Sequence, residues 1–396
     1  MKKRSLQSIV CFPFKAENTQ VFLKNIMEAL AHPRVGEVLG VGYEKNNCFK
    51  EIEAKLSGVE KKGKKIHLMV QKRWGKKRPG KGDGMNTALD YFVNHTSFDR
   101  IHFYDADIVT FSRQWIEKGE KRLEEDYQVV RFFFPKVSTD GMITWNITRC
   151  GLAYNWPHTI LPLIEQPLGG ELILKREIAE RLIKDPWVIN YSDWGIDTAY
   201  TLAFVKYQAP LYEAYIKDGK LHKLYGRLSD LYTMLVECFA VIEESSAIPM
   251  NTESTLYKKD TVEKIPSSVQ EKTAFDIKET IPLLTVDWSE EEMELLNFFP
   301  SKIKEGMRSC RNNLDLHFMD PQAWYEVYEV LLEKFDQNKK AWRDLLFRLW
   351  IARVLNHTFY CASRGYEYAM KSLEAMISHF AETRPKGVKR WKMKVV

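Results

Sequence analysis

The sequence predicts an α/β protein, a doubly wound and mostly parallel sheet followed by an α-helical extension. Three observations carry that prediction. Short apolar runs alternate with segments of helical spacing through the first half of the chain, the pattern of successive β-α units. The loops after those runs collect Gly, Lys and Asp; in open α/β sheets, ligands bind at the carboxyl ends of the strands. Beyond residue 285 only helical periodicity remains.

In order, Ser8-Ile9-Val10-Cys11-Phe12 reads as a first buried strand stopped by Pro13, and Val21 to Ala31 as a helix. Glu37 to Gly42 is a second strand, Cys48 to Leu56 a helix, Ile66 to Val70 a third strand and Asn86 to Val93 a helix. The run Ile101-His102-Phe103-Tyr104 leads as a strand into Asp105-Ala106-Asp107. Val129 to Phe134 is a strand ended by Pro135-Lys136, and a helix-like stretch begins at Gly141. A helix over Thr198 to Val205, a strand over Leu211 to Ile216 and a helix over Ser229 to Glu244 complete the alternation. Residues 246–285 lose clean periodicity and read as a linker or excursion between a domain over 1–245 and a helical one over 286–396. In the latter, Ser289-x-x-Glu292 is a capping box and Asp320-Pro321 an N-cap with proline at the first helical position. The Trp and Tyr residues spaced along Trp324 to Leu332, Trp342 to Phe359 and Tyr366 to Phe380 point to packed helices, as core or as a homo-oligomer contact. The basic tail from Lys386 to Lys394 is expected to be disordered.

Composition narrows the function. Of 396 residues, 45% are hydrophobic and 13% aromatic, enough for a sizeable core. A net charge of +6 suits an anionic small partner such as a nucleotide and does not mark a nucleic-acid binder. The six cysteines lie far apart with no C-x-x-C, so reduced thiols in a cytoplasmic protein are expected. The basic N-terminus precedes only a short apolar run that meets Pro13, so neither a leader peptide nor a membrane span is expected.

The chemistry gathers after the strands. Asp105 and Asp107, two acids spaced by one small residue, would repel each other unless a cation or donor groups stood near; a hard divalent ion holding a diphosphate meets that need, although an ordinary acidic turn has the same sequence. Lys15 and Glu17, after the first strand, could flank a nucleotide, although by themselves they read more readily as a solvated turn. The third loop, from Gln71 to Asn86, carries six cations and four glycines ahead of a helix. Glycines admit an anion to backbone N–H groups, and Lys81 stands among them within reach of a phosphate. The loop is not G-x-x-x-x-G-K-[ST], which excludes the usual NTPase motif; a merely solvated loop and an RNA-binding basic loop are the competing readings. Ile164 to Glu171 joins a Gly-rich turn to acids, and Ser192 to Asp197 sets two acids around an indole ahead of a helix. His222 has the chemistry of a metal ligand, but a lone histidine is more often structural.

Taken together, Cys11 to Lys15, Arg78 to Asn86, Ile101 to Asp107, Ile164 to Glu171, Ser192 to Asp197, Val236-Glu237-Cys238-Phe239 and Arg353-Val354-Leu355-Asn356 make the chain resemble the mannosylglycerate synthases. That resemblance implies the A-type glycosyltransferase fold with a helical C-terminal extension. It implies transfer of mannose from GDP-mannose to D-glycerate, or a similar 2-hydroxy acid, in one step with retention, giving a compatible solute. By the same resemblance, Pro13, Phe14, Lys15, Glu17, Gln71 and Lys81 hold the guanosine diphosphate, with Asp105 and Ala106 at the ribose. Asp107 and His222 ligate a divalent metal (Mn²⁺, Mg²⁺ or Ca²⁺), and Tyr225 follows in the same loop. Leu168, Gly169 and Gly170 line the sugar, with Asp197 near the reacting carbon; Asp197 and Lys81 are the expected catalytic pair. Gly141, Met142, Ile143 and Thr144 take the acceptor. Lys136 stands where the family places an acceptor-reading Arg, keeping the charge and losing the bidentate fork, and Lys223 likewise replaces an Arg. The same fold would serve a glucosylglycerate synthase or another retaining glycosyltransferase, and a sugar-1-phosphate nucleotidyltransferase uses similar parts.

Overall fold

The computed structural model describes residues 6–59, 63–221, 227–250, 255–262, 265–270 and 272–383. His222, Lys223, Tyr225 and the tail from Lys386 to Lys394 lie outside the described residues.

The strands are β1 (Ser8–Phe14), β2 (Val35–Gly42), β3 (Lys65–Val70), β4 (Arg100–Phe103), β5 (Val129–Phe133), β6 (Leu172–Lys175), β7 (Leu211–Tyr215) and β8 (Tyr257–Lys259). They form one sheet in the order β3-β2-β1-β4-β6-β5-β7-β8. All pairings are parallel except those of β6, which runs antiparallel to β4 and β5. This is the mostly parallel α/β sheet that the alternation predicted.

Two strands escaped the sequence reading. β6 has four residues behind a Gly-rich turn, too few to show a period. β8 lies in the stretch read as a linker; it is a three-residue edge strand whose Lys side chains stay exposed, so it carries no apolar signature. The helices Arg113–Leu123 and Arg176–Lys184 are also absent from that reading; charged residues outnumber apolar ones on both.

The chain groups into two compact units that do not follow chain order. The first takes Met1–Pro135, Leu163–Lys223 and Met250–Lys264, and with them the whole sheet. The second takes Lys136–Pro162, Leu224–Pro249 and Ile265–Val396. A division at residues 245 and 286 would leave 136–162 and 227–249 with the sheet, whereas they group with the C-terminal helices.

In the first unit, helix α1 (Thr19–Ala31) starts at Asn18, whose side chain accepts from the Gln20 and Val21 amides. It buries Phe22, Ile26, Ala29 and Leu30 in a cluster with Val10, Phe12, Tyr104, Phe111, Trp115 and Phe132. The rings meet edge to face or tilted, Phe12 on Phe111 at 5.5 Å and Tyr104 on Phe111 at 4.7 Å between centroids. Each such side chain contributes about 1.5–3 kcal/mol by leaving water, which makes the aromatic cluster under β1 and β4 the rigid floor of the strand ends above it.

Two more helices of this unit are α2 (Asn47–Leu56) and α3 (Lys81–His95); a fourth, α4 (Arg113–Leu123), brings a buried Glu120 beneath the sheet. Its carboxylate accepts from Arg34 Nη1 at 3.1 Å and from Arg100, lies 2.9 Å from His102 Nε2, and takes the Ser8 hydroxyl. Burial alone would raise its pKa, but these donors outweigh burial and hold the carboxyl well below the ordinary range.

In the second unit the helix Lys340–Tyr360 is buried on nearly every side, as a central core helix must be. Trp324 and Trp350 are fully buried, which assigns these aromatics to core. Residues Thr144–Arg149 form a π-helical turn. Two carbonyls there accept long-range donors, Asn146 O from Trp324 Nε1 at 2.9 Å and Ile147 O from the Tyr328 hydroxyl at 2.8 Å. These bonds occupy backbone oxygens where the regular helical ladder is displaced. Among the described residues, no helix is long and apolar enough to cross a membrane.

Candidate active site

The site is built from strand ends held by side chains that never face a ligand. Past β4 the chain turns, and Asn25 on α1 donates through Nδ2 to Ala106 O at 3.1 Å and to Ile108 O at 2.9 Å. Lys24 donates to Phe111 O at 3.1 Å. The Asp105-Ala106-Asp107 turn is thus fastened to α1 by its backbone, and its two carboxylates remain partly exposed. Ala106 itself is buried and offers a ligand backbone at most.

Around Asp105 stands a dense charge cluster within the first unit. Lys81 Nζ lies 3.1 Å from Asp197 Oδ2 and 3.4 Å from Asp105 Oδ1. Lys220 Nζ lies 2.6 Å from Asp105 Oδ2 and 2.6 Å from Glu171 Oε1. Burial would push the Lys81 ammonium toward neutrality, but Asp105, Asp197 and Glu171 prevail and hold it protonated. Burial also opposes charge on Asp105, yet Lys220 and Lys81 keep it ionised. Burial, and then the charge of Asp105, push Glu171 up to about 7 against the pull of Lys220. Burial raises Asp197 against the pull of Lys81. With the ammonium 3.1 Å away we read Lys81 and Asp197 as an ion pair. Gly170 is what lets this cluster close: a Cβ there would lie 2.4 Å from Lys81 Nζ and 3.0 Å from Asp105 Oδ1.

Residues expected at the nucleotide approach the same strand ends. Glu17 feels the charges of Asp107 and Asp105; burial first and then those two acids raise its carboxyl, against the Lys15 and Glu17 amides that it accepts from. Gln71 and Pro13 both flank Gly84 near the start of α3, at 3.4 Å and 3.7 Å from where a Cβ would be. Lys15 is exposed, with its ammonium 4.7 Å over the Tyr43 ring. Phe14 is core, packed on Phe22 and Phe49, so only its backbone is available to a ligand.

Three of the four glycines of the third loop stand against the protein's own chain. Cβ atoms on Gly75, Gly80 and Gly82 would collide with Asn190 O, Asp193 Oδ1 and Tyr191 O, at 2.5, 1.9 and 2.3 Å. They admit the protein's own segment 190–193. Asp193 accepts from the Lys81 amide at 3.0 Å, and Ser192 O from the Asp83 amide at 2.9 Å. The α3 N-terminus is therefore partly capped from within. The basic loop is likewise internally paired: Lys72 with Asp90 at 3.0 Å, Arg73 with Asp83, Arg78 with Asp193, and Lys77 over the Tyr191 ring.

The acceptor set falls in the second unit. Gly141 has φ +63°, and a Cβ there would lie 3.7 Å from Lys136 Nζ and 3.8 Å from Thr144 Oγ1, so these three residues share one turn. The Gly141 amide is taken by Asp140 Oδ1 at 2.6 Å, and Met142 O accepts from Trp350 Nε1 at 3.3 Å. Met142, Ile143 and Thr144 are buried.

Among the described residues, no group of three or more His, Cys, Asp or Glu side chains is placed to hold a metal ion. Asp107 offers a hard oxygen, and the cluster behind it already sets three carboxylates against two ammonium groups. Two buried oxygens, Asp197 Oδ1 and Glu171 Oε2, have no hydrogen-bond partner among the described residues. His222, the other expected ligand, is outside those residues.

Lys220, Glu171 and Asp193 were not assigned to the site from sequence. Lys220 had one signal, its place in the loop after β7, and Glu171 another, an acid directly before a buried strand. What neither signal carries is the partner across the sheet.

Comparison with known proteins agrees with this geometry. Residues 8–244 match the mannosylglycerate synthase GT domain, and residues 269–377 match the mannosylglycerate synthase C-terminal domain. Mannosylglycerate synthase of Rhodothermus marinus is 46% identical over 374 residues, covering 94% of each chain. That of Selaginella moellendorffii is 46% identical over 375 residues, covering 93% of this chain and 88% of its own. Among solved structures, glucosyl-3-phosphoglycerate synthase of Mycobacterium tuberculosis with Mn²⁺ and uridine-diphosphate-glucose is 21% identical, with a TM-score of 0.49 over 61% of this chain and 80% of that one; so loose a likeness does not bear on residue roles. With a mostly parallel α/β sheet, an aspartate pair past β4 and relatives matched along nearly its whole length, this chain belongs to the mannosylglycerate synthase family and is a hexosyltransferase.

Proposed function

We propose that the protein transfers mannose from GDP-mannose to D-glycerate with retention at the anomeric carbon, in a divalent-metal-dependent reaction. The observation that carries the reading is the cluster in which Lys81 bridges Asp105 and Asp197 under Gly170. Asp107 with His222 would hold the metal, which when bound neutralises the leaving diphosphate as a Lewis acid. Lys81, kept charged by its three carboxylates, adds a second positive group on the leaving side. Asp197 presents the buried, unpartnered Oδ1, suited to stabilising positive charge that develops on the hexose as its bond breaks. The ammonium at Asp197 Oδ2 fixes the carboxylate's orientation. A same-face attack, with the departing phosphate taking the acceptor's proton, gives retention without a covalent intermediate. On the acceptor, Lys136 supplies a cation for the carboxylate and Thr144 a hydroxyl for its 2-hydroxy group. We further propose a cytoplasmic protein with no nucleic-acid or membrane partner that assembles as a homo-oligomer through its helical region.

The test is an incubation with GDP-mannose, UDP-glucose or GDP-glucose and D-glycerate, with Mn²⁺ or with EDTA, read by mass spectrometry and by NMR of the anomeric proton. An α-mannosyl product formed only from GDP-mannose and only with metal is expected. Glucosylglycerate as the main product, or undiminished turnover in EDTA, would replace this reading.

A further inference from the structure

Two charged residues lie inside strands that are otherwise apolar and buried on both faces, Arg131 in β5 and Glu213 in β7. They are register partners on adjacent parallel strands, and both are fully buried. Burying such ions costs several kcal/mol each unless their hydrogen-bonding capacity is met. Here one loop takes both side chains, although the Arg131 Nε–H has no partner among the described residues. Glu213 accepts from the Glu165 amide at 2.9 Å and the Gln166 amide at 3.1 Å, and from the Tyr257 hydroxyl at 2.7 Å. Arg131 Nη1 donates to Gln166 O at 2.8 Å and Gly169 O at 3.3 Å, and Nη2 donates to Asp197 O at 3.3 Å. Thr201 Oγ1, from the helix Gly195–Lys206, lies 2.8 Å from Pro167 O.

We infer that Arg131 and Glu213 form a paired clamp that sets the shape of the donor-sugar pocket: the carboxylate takes the N–H groups of loop 165–170, and the guanidinium takes its C=O groups together with that of Asp197. Neither side chain touches the sugar; both are positioning residues. The planar fork of Arg131 ties two segments at once, the Leu168-Gly169-Gly170 turn and the helix start that carries Asp197, so the spacing between them is fixed by one rigid group. A loop so held discriminates between hexoses that differ at one hydroxyl, because it cannot relax around the wrong one. The assignment of that turn to the sugar rests on the function proposed above; the clamp itself does not.

The experiment compares the full-length wild type with Arg131→Met, Arg131→Lys, Glu213→Gln and Glu213→Leu. In Arg131→Met, hydrogen exchange in peptides over 163–171 is expected to speed by about tenfold or more, with exchange in β1 and β2 unchanged. The turnover number is expected to fall by about tenfold or more, the GDP dissociation constant to stay within about twofold, and the preference for GDP-mannose over GDP-glucose to shrink; Arg131→Lys should recover part of each loss. If Arg131→Met does not fold, Arg131→Lys and Glu213→Gln carry the same comparisons. Unchanged exchange over 163–171 overturns the clamp. Faster exchange with turnover and sugar preference intact overturns its role at the sugar. If the wild type transfers no mannose, the proposed function fails while the exchange result still decides the clamp.

Discussion

Lys136 stands at the head of the turn that also carries Gly141 and Thr144. A charge-assisted hydrogen bond to a carboxylate is worth about 1.5–3 kcal/mol, so Lys136→Ala should raise the KM for D-glycerate by roughly 10–100-fold and leave that for GDP-mannose within about twofold. Steady-state kinetics with each substrate varied in turn measure both; an unmoved acceptor constant removes Lys136 from the site. Gly170 is the second position where a single atom decides. Its Cβ would lie 2.4 Å from Lys81 Nζ, and that ammonium is already committed to Asp197. Gly170→Ala should therefore lower kcat/KM for the donor by about tenfold while thermal unfolding shifts little, because the displaced atom ends a flexible side chain. Among the residues picked from sequence, Lys81, Asp105 and Asp197 meet because each follows a strand or opens a helix, places a one-dimensional pattern can mark. Glu171 and Lys220 meet them only across the sheet, which no local pattern records.

Glu120 on α4 ties Ser8, Arg34, Arg100 and His102 together under the central strands. Glu120→Gln leaves two guanidinium groups facing a neutral amide and should cost about 3–5 kcal/mol of stability at pH 7. The pH dependence has a definite sign. The folded carboxyl lies well below its ordinary value, so its stabilisation is fully present above an unfolded pKa of about 4.3 and is lost as pH falls toward the folded value. Urea unfolding at pH 7 and at pH 3 should show the gap between wild type and variant narrowing in acid. At this scale the sequence was legible where a period ran long enough. The strands from Ser8 and Val129 and the helices from Asn47 and Gly195 lie within a few residues of their predicted ends. β6 and β8 were illegible because four and three residues cannot display a period. The glycines of the third loop were legible as glycines, but segment 190–193, which packs on three of them, was not, because an approaching anion and an approaching backbone both call for a missing Cβ.

For the whole molecule, a ligand that binds only the folded state raises stability by mass action. GDP with Mn²⁺ at a hundredfold excess over its dissociation constant should add about 2.7 kcal/mol, and EDTA should remove most of that gain. Differential scanning fluorimetry reads the two conditions side by side; equal melting temperatures with and without metal would remove the ion from nucleotide binding.

The sequence by itself determined the α/β class, the helical extension and the family, and it marked the strand ends as the place to look for a site, because hydrophobic period and short motifs are properties of neighbours along the chain. Only the tertiary structure decided which segments share a compact unit, which charges cancel, and what holds loop 165–170 in shape. Arg131 and Glu213 are 82 positions apart and become adjacent when β5 pairs with β7. Burial turns such adjacency into energy, and burial exists only once the chain is folded.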